Sequence, residues 1–184
     1  MKKIAFFLVL TVLILANAAA QQGSKQAAAA EITFTYTKQG GVASNQFAIW
    51  VEDEQGNYIK TLYATRFTAN GGWKRRAASL PLWVKQSNLA EMSGKEIDAI
   101  SSSTPKAGNI TYSWNGTNDK GKAVPDGAYV FILEATLRNE NFVIYRIPVS
   151  IGKGSSAAEA IAEYSGESTA ERSMIANVKV KVLR

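Results

Sequence analysis

Ala128 to Leu137, AYVFILEATL, is the stretch that most limits what this chain can become. Successive side chains of an extended backbone point to opposite faces. Tyr129, Phe131, Leu133 and Ala135 therefore share one face, and Val130 and Ile132 share the other. A strand that is apolar on both sides belongs in the middle of a sheet, with something covering each face. Other segments show a one-sided pattern. In EITFTYT, Ile32, Phe34 and Tyr36 alternate with threonines. QFAIWVEDEQGNYIKTLYATRF reads as a hairpin: Phe47, Ile49 and Val51 share a face, Gln55-Gly56-Asn57 supplies the turn, and Ile59, Thr61 and Tyr63 return on one face. ITYSW, FVIYRIPVSI and MIANVKVKVLR add further strands, the last placing Lys179 and Lys181 outward, as suits an edge that must not template aggregation. AAEAIAEY, residues 157–164, is expected to form a helical turn or two. About seven strands with turn punctuation predict an all-β chain, an immunoglobulin-like antiparallel sandwich.

One long irregular connection, about residues 68–109, interrupts the strand rhythm. It holds Gly71-Gly72, Trp73, Pro81 and Trp83, with short helical turns expected around Leu82–Asn88 and Asn88–Met92. A connection of that length is either functional or anchored by its own side chains. Trp73, Leu80, Leu82 and Trp83 are the candidate anchor. Trp73 and Trp83, beside Lys74-Arg75-Arg76, are also candidates to line a ligand groove.

At the start, Lys2 and Lys3 precede the apolar run Ile4 to Ala16 and then Ala18-Ala19-Ala20. These are the marks of a secretory signal peptide over residues 1–20, cleaved after Ala20 or, failing that, Ala18. Residues 21–30 then form a flexible lead and residues 31–184 a single domain. No later apolar run is long enough to cross a membrane. The expected product is exported, not membrane-spanning, and periplasmic. Its net charge of +6 falls to +4 when Lys2 and Lys3 leave with the signal. One basic triplet on an exported chain points to a solvated loop and to no nucleic-acid partner.

Chemistry is narrowed most by two zeros, His and Cys. Ser-His-Asp and Cys-His catalysis, the usual zinc sites, His-ligated haem and thiol redox chemistry are all excluded. Carboxylate, lysine, tyrosine and hydroxyl groups remain, so the expectation is a protein that is not an enzyme. Glu52-Asp53-Glu54 reads as a solvated hairpin end, not a metal site. WNGTNDKGKAVPDGAY carries oxygen donors, but counted from Asn115 its sixth residue is Lys120 and its twelfth Asp126, which breaks the helix–loop–helix calcium pattern. It reads as a decorated turn, with Asn118 and Asp119 closing side-chain turns. Trp114 should pack beside it with the indole N–H hydrogen-bonded.

That turn, following a hairpin of the VEDEQGNYIKTL type, resembles the immunoglobulin-like module of the flagellar hook-capping protein. FAIWVEDEQGNYIKTL, SLPLW, IDAISSSTPKAG and the tryptophan turn together resemble a family of predicted bacterial periplasmic proteins, domain of unknown function 2271, from about Glu31 onward. The resemblance implies a place beside the enzyme that transfers FMN onto proteins and beside PepSY-type membrane redox proteins. Acceptors of that transferase carry an Asp-Ala-Val-Ser-Gly-Ala-Thr type of motif, and Asp98, Ala99, Ile100, Ser101 and Thr104 match it position by position, with Ser102 and Ser103 departing. Three expectations follow. The first is a non-enzymatic scaffold for a protein partner in the periplasm or at the inner membrane face. The second is an FMN carrier modified at Thr104, with Asp98 as the motif's acid and residues 95–108 as a mobile loop. The third is a hook-cap-like or surface assembly factor.

Overall fold

The computed structural model describes residues 28–40, 44–137, 141–166 and 174–184. The expected signal peptide and most of the expected lead lie outside the described residues. Among the described residues, ten strands form two sheets. The four-stranded sheet runs β5 (Gly108–Trp114), β1 (Ala30–Tyr36), β10 (Ile175–Val182), β8 (Ser156–Glu159). The six-stranded sheet runs β4 (Ser101–Ser102), β3 (Tyr58–Thr65), β2 (Gln46–Asp53), β6 (Gly127–Thr136), β7 (Phe142–Ile151), β9 (Ile161–Tyr164). All pairings are antiparallel except β3 with β4. The fold is the expected all-β sandwich.

The inner core fills the space between the sheets. Its floor is an aromatic cluster: Phe47 lies 4.9 Å from Tyr63 and 5.6 Å from Phe34, and Tyr63 lies 4.8 Å from Tyr112, centroid to centroid. Tyr129, Phe131, Leu133 and Ala135 face this core, while Val130 and Ile132 face away, as the sequence requires of a central strand. Trp114 is fully buried and its indole donates to the Thr117 carbonyl at 2.9 Å, locking the strand to its turn. In that turn the Asn118 side chain accepts from the backbone of Lys120 and Lys122.

A second core lies on the far side of the six-stranded sheet. There Ala48, Trp50, Ala64, Ile132 and Ile144 meet Leu80, Trp83 and Leu89. The long connection is thus a third layer. It coils through Thr68–Gly72, α1 (Trp73–Arg75), α2 (Pro81–Gln86), a 3₁₀ turn at Leu89–Glu91 and α3 (Gly94–Ile100). Leu80 and Trp83 anchor it as expected, and a buried Trp83 is not available to line a groove.

Four expectations are corrected. Residues 157–164 are not helical but form β8 and β9, a single segment that closes one sheet's edge and then the other's. Strand pairing overrides the helical preference of its alanines, as tertiary context routinely does. Consequently β10 is not an edge, because β8 covers it. Ile59, Thr61 and Tyr63 do not share a face. The β2–β3 register slips between Ile49 and Trp50, so Tyr63 enters the inner core while Thr61 accepts from the Trp83 indole at 2.9 Å on the other side. The lead ends early, since Ala29 and Ala30 are already buried and Ala30 opens β1.

Candidate functional site

The two residues picked out for cofactor attachment sit on different elements. Ser93-Gly-Lys-Glu96 is a capping box: the Ser93 hydroxyl accepts from Glu96 N at 3.3 Å, and Glu96 Oε2 accepts from Ser93 N at 2.8 Å. That box starts α3, so residues 94–100 are helix rather than the expected mobile loop. Asp98 is exposed on this helix, and the cap is Ser93. Ser101 and Ser102 then extend as β4, parallel to Ala64 and Thr65. Ser102 occupies the motif's glycine position in extended backbone, so no turn is needed there. Tyr63 donates to the Ser103 carbonyl at 3.1 Å. Only then does the chain leave regular structure, and Thr104 stands exposed before Pro105. Asp98 and Thr104 share no hydrogen bond.

Beside this segment the sandwich is open. A cleft of about 870 Å³ separates β3 from β5, with α3 along one wall and the tryptophan turn at one end. Leu62, Met92, Ile100 and Trp114 supply apolar lining; Tyr58, Lys60, Glu96, Asn115, Asp119 and Lys120 supply polar lining. Four of its polar side chains are already engaged, Asn115 by accepting from Thr117 Oγ1 at 2.7 Å. Lys60 Nζ donates to Thr117 Oγ1 at 2.9 Å, and burial lowers its pKa although Asp119 opposes the shift. Hydrogen bonds from Ser93 hold the Glu96 carboxyl below its ordinary range. Tyr58 Oη accepts from Thr61 N at 2.8 Å, and burial raises its pKa. The arrangement sets two held charges, Lys60 and Glu96, above an apolar floor, and the Ser93 hydroxyl donates to Glu96 Oε2 at 2.6 Å.

The carboxyl with the largest displacement lies elsewhere, and sequence reading passed it over. Glu134 of β6 is 1% exposed on the outer face of the six-stranded sheet. It accepts from Leu82 N at 3.1 Å and Trp83 N at 2.7 Å, the free amides at the start of α2. Desolvation pushes its pKa up to about 7, against those two amides and the more distant Arg146, which pull it down. Thr136 adds a third tie, accepting from Leu80 N at 3.0 Å and donating to the Ala78 carbonyl at 3.1 Å. The signal was visible: one acid inside an otherwise two-sided apolar run must find its partners within the fold. Tyr63, pushed up to about 12 by burial, belongs to the inner core in the same way.

A family model described as "Predicted periplasmic protein (DUF2271)" matches residues 27–169. The match stops short of β10, although that strand lies between β1 and β8. No curated protein and no solved structure matches the chain.

Proposed function

The chain belongs to the family of predicted periplasmic proteins (DUF2271), and from that premise we propose that it is a non-enzymatic binding protein of the envelope. It presents the cleft between β3 and β5 to a protein partner of a flavin- and PepSY-associated redox system. One observation carries this reading: the strongly displaced carboxyl is spent on structure. Glu134 is closed beneath α2, while Lys60 and Glu96 in the cleft are tied to Thr117 and Ser93. Acid–base catalysis needs a displaced group that reaches a substrate. Recognition needs charges held still, and Lys60 and Glu96 are so held. The sandwich itself we read as immunoglobulin-like, with Trp114 fastened under its turn. The test is co-purification of a PepSY-type membrane protein with the exported chain from detergent extract. Lys60→Glu combined with Asp119→Lys should abolish it. Recovery unchanged by that pair, or no recovery with the native chain, overturns the reading.

A second reading is favoured by the exposure of Thr104 immediately past β4. Here the Thr104 hydroxyl, presented past the end of α3, loses its proton and takes the FMN phosphoryl group from a flavin dinucleotide, whose phosphoanhydride bond breaks to release the nucleoside monophosphate. Co-expression with the FMN transferase in an exporting host, followed by intact mass, decides it. The adduct should appear on the native chain and be missing from Thr104→Ala. An unmodified native mass, under conditions that label a known acceptor, rules this out.

A further inference from the structure

Residues 66–76, RFTANGGWKRR, form a helical knuckle at the end of β3. One side of it is fixed to the fold. Thr68, Ala69 and Gly72 are buried; Thr68 Oγ1 lies 2.6 Å from Ser79 Oγ and donates to Gln46 Oε1 at 3.2 Å. At Gly72 the missing side chain leaves room for the ring and carbonyl of Phe67. The opposite side is presented to solvent. Arg66, Phe67, Lys74 and Arg75 are exposed, Phe67 at 43%. Among the described residues only Ile161 joins Phe67 as an exposed large hydrophobic. The Arg75 guanidinium stands 5.6 Å over the Phe67 ring and the Lys74 ammonium 5.4 Å over the half-buried Trp73 ring. No acidic residue occurs from Arg66 to Ala90, and among the described residues no ion pair involves these cations.

We propose that this knuckle docks the protein onto an anionic phospholipid surface. Two exposed or half-buried rings, each with a cation above it, match an interface that is apolar below and negatively charged above. Basic side chains are drawn to the negative surface potential, and aromatic rings settle at headgroup depth. Because the base of the knuckle is already ordered, little freedom is lost on docking. An acidic polypeptide would satisfy the cations but leave the ring of Phe67 without a counterpart. So few charges and rings give reversible docking, not anchoring. The cleft plays no part in this docking, which stands or falls separately from it.

Trp73 makes the test specific, because Trp50, Trp83 and Trp114 are fully buried. The full exported chain is mixed with vesicles of phosphatidylcholine alone or of an equal mixture with phosphatidylglycerol, each carrying brominated acyl chains. Co-sedimentation and quenching of Trp73 should require phosphatidylglycerol and weaken with added salt. Lys74→Glu with Arg75→Glu should weaken partitioning by about tenfold or more. These are exposed side chains, and unchanged thermal unfolding verifies that the variant is folded. The charge-matched control is Lys179→Glu with Lys181→Glu on the four-stranded sheet, which should leave partitioning within a factor of about two to three of the native chain, the screened effect of distant charge. No dependence on phosphatidylglycerol overturns the proposal. An equal loss in the control does so too, since binding would then follow net charge. Protection of Trp73 by polyglutamate but not by vesicles would reassign the knuckle to an acidic polypeptide and overturn it as well.

Discussion

The two sheets treat their outer faces in opposite ways. On the four-stranded sheet, β10 buries Val178, Val180 and Val182 and leaves Lys179 and Lys181 exposed, while β1 carries threonines on that side. On the six-stranded sheet, β2 and β6 bury both faces, and Trp50, Ile132 and Glu134 lie under a helical layer. Water suffices as a cover for the first pattern. The second requires a protein layer, because apolar area left in water forfeits roughly 25 cal/mol per Å². The long connection is therefore part of the fold's hydrophobic accounting and not an ornament on a finished sandwich.

The strongest way to break the contrast is Trp83→Ala. That ring is fully buried in the outer core and its indole donates to Thr61. Loss of both should cost about 3–5 kcal/mol by urea denaturation. Amide exchange should accelerate first over residues 66–92, while β1 and β10 stay protected. Uniform acceleration across both sheets would mean that the layer and the sandwich open as one unit.

Glu134 sharpens the same contrast through pH. Its carboxyl titrates near its ordinary 4.5 in the unfolded chain and at about 7 in the folded one. Between those values the folded chain holds a proton that the unfolded chain has released. The group's contribution to stability is thus greatest below about pH 4.5, falls as pH rises, and levels off above about pH 7. The span is on the order of 3 kcal/mol. Glu134→Gln should flatten it, since an amide still accepts from Trp83 N without a charge to bury. A slope that survives this substitution assigns the effect to another group.

Much of the sandwich was legible because alternation follows from backbone geometry alone: β1, β2, β6 and β7 stand where their periodicity put them. What escaped depends on partners distant in sequence. β8 and β9 are strands because β10 and β7 offer free edges to them, not because AAEAIAEY favours extension. The slip at Leu62, which parts Thr61 from Tyr63, answers to Trp83 more than twenty residues away. At the attachment motif the helix, too, was legible. Ser93-Gly-Lys-Glu96 announces a helix start, and reading it would have replaced a mobile loop with α3. Thr104 is exposed, as an acceptor must be; Asp98 is an exposed residue within α3, whose cap is Ser93.

A smaller effect isolates the packing of the layer from its anchoring. Gly72 has ordinary right-handed helical backbone, so alanine there brings no torsional strain. Its methyl group would instead overlap the Phe67 carbonyl and ring. Gly72→Ala should therefore cost about 1–3 kcal/mol, by forcing the knuckle off the sheet. Thermal unfolding gives the size, and increased quenching of Trp73 by acrylamide gives the place. Full stability with an unmoved Trp73 would mean that the knuckle yields freely, and would deprive the docking surface of its rigid base.

The smallest effect on stability is expected on the bare face of the four-stranded sheet. Lys179 and Lys181 touch water, with Glu31 opposite Lys181 and Glu159 opposite Lys179 across the ladder. No ion pair joins these neighbours, and exposed cross-strand charges contribute little in any case. Lys179→Leu with Lys181→Leu should move the unfolding free energy by no more than about 0.5 kcal/mol. The same pair gives the strand the two-sided apolar character of β6 without any layer to cover it. An uncovered apolar face of that kind associates with others. Sedimentation velocity should then show concentration-dependent self-association absent from the native chain. If the double variant stays monomeric at every concentration, a two-sided apolar strand does not by itself demand a cover, and the helical layer must owe its place to something other than the apolar face beneath it.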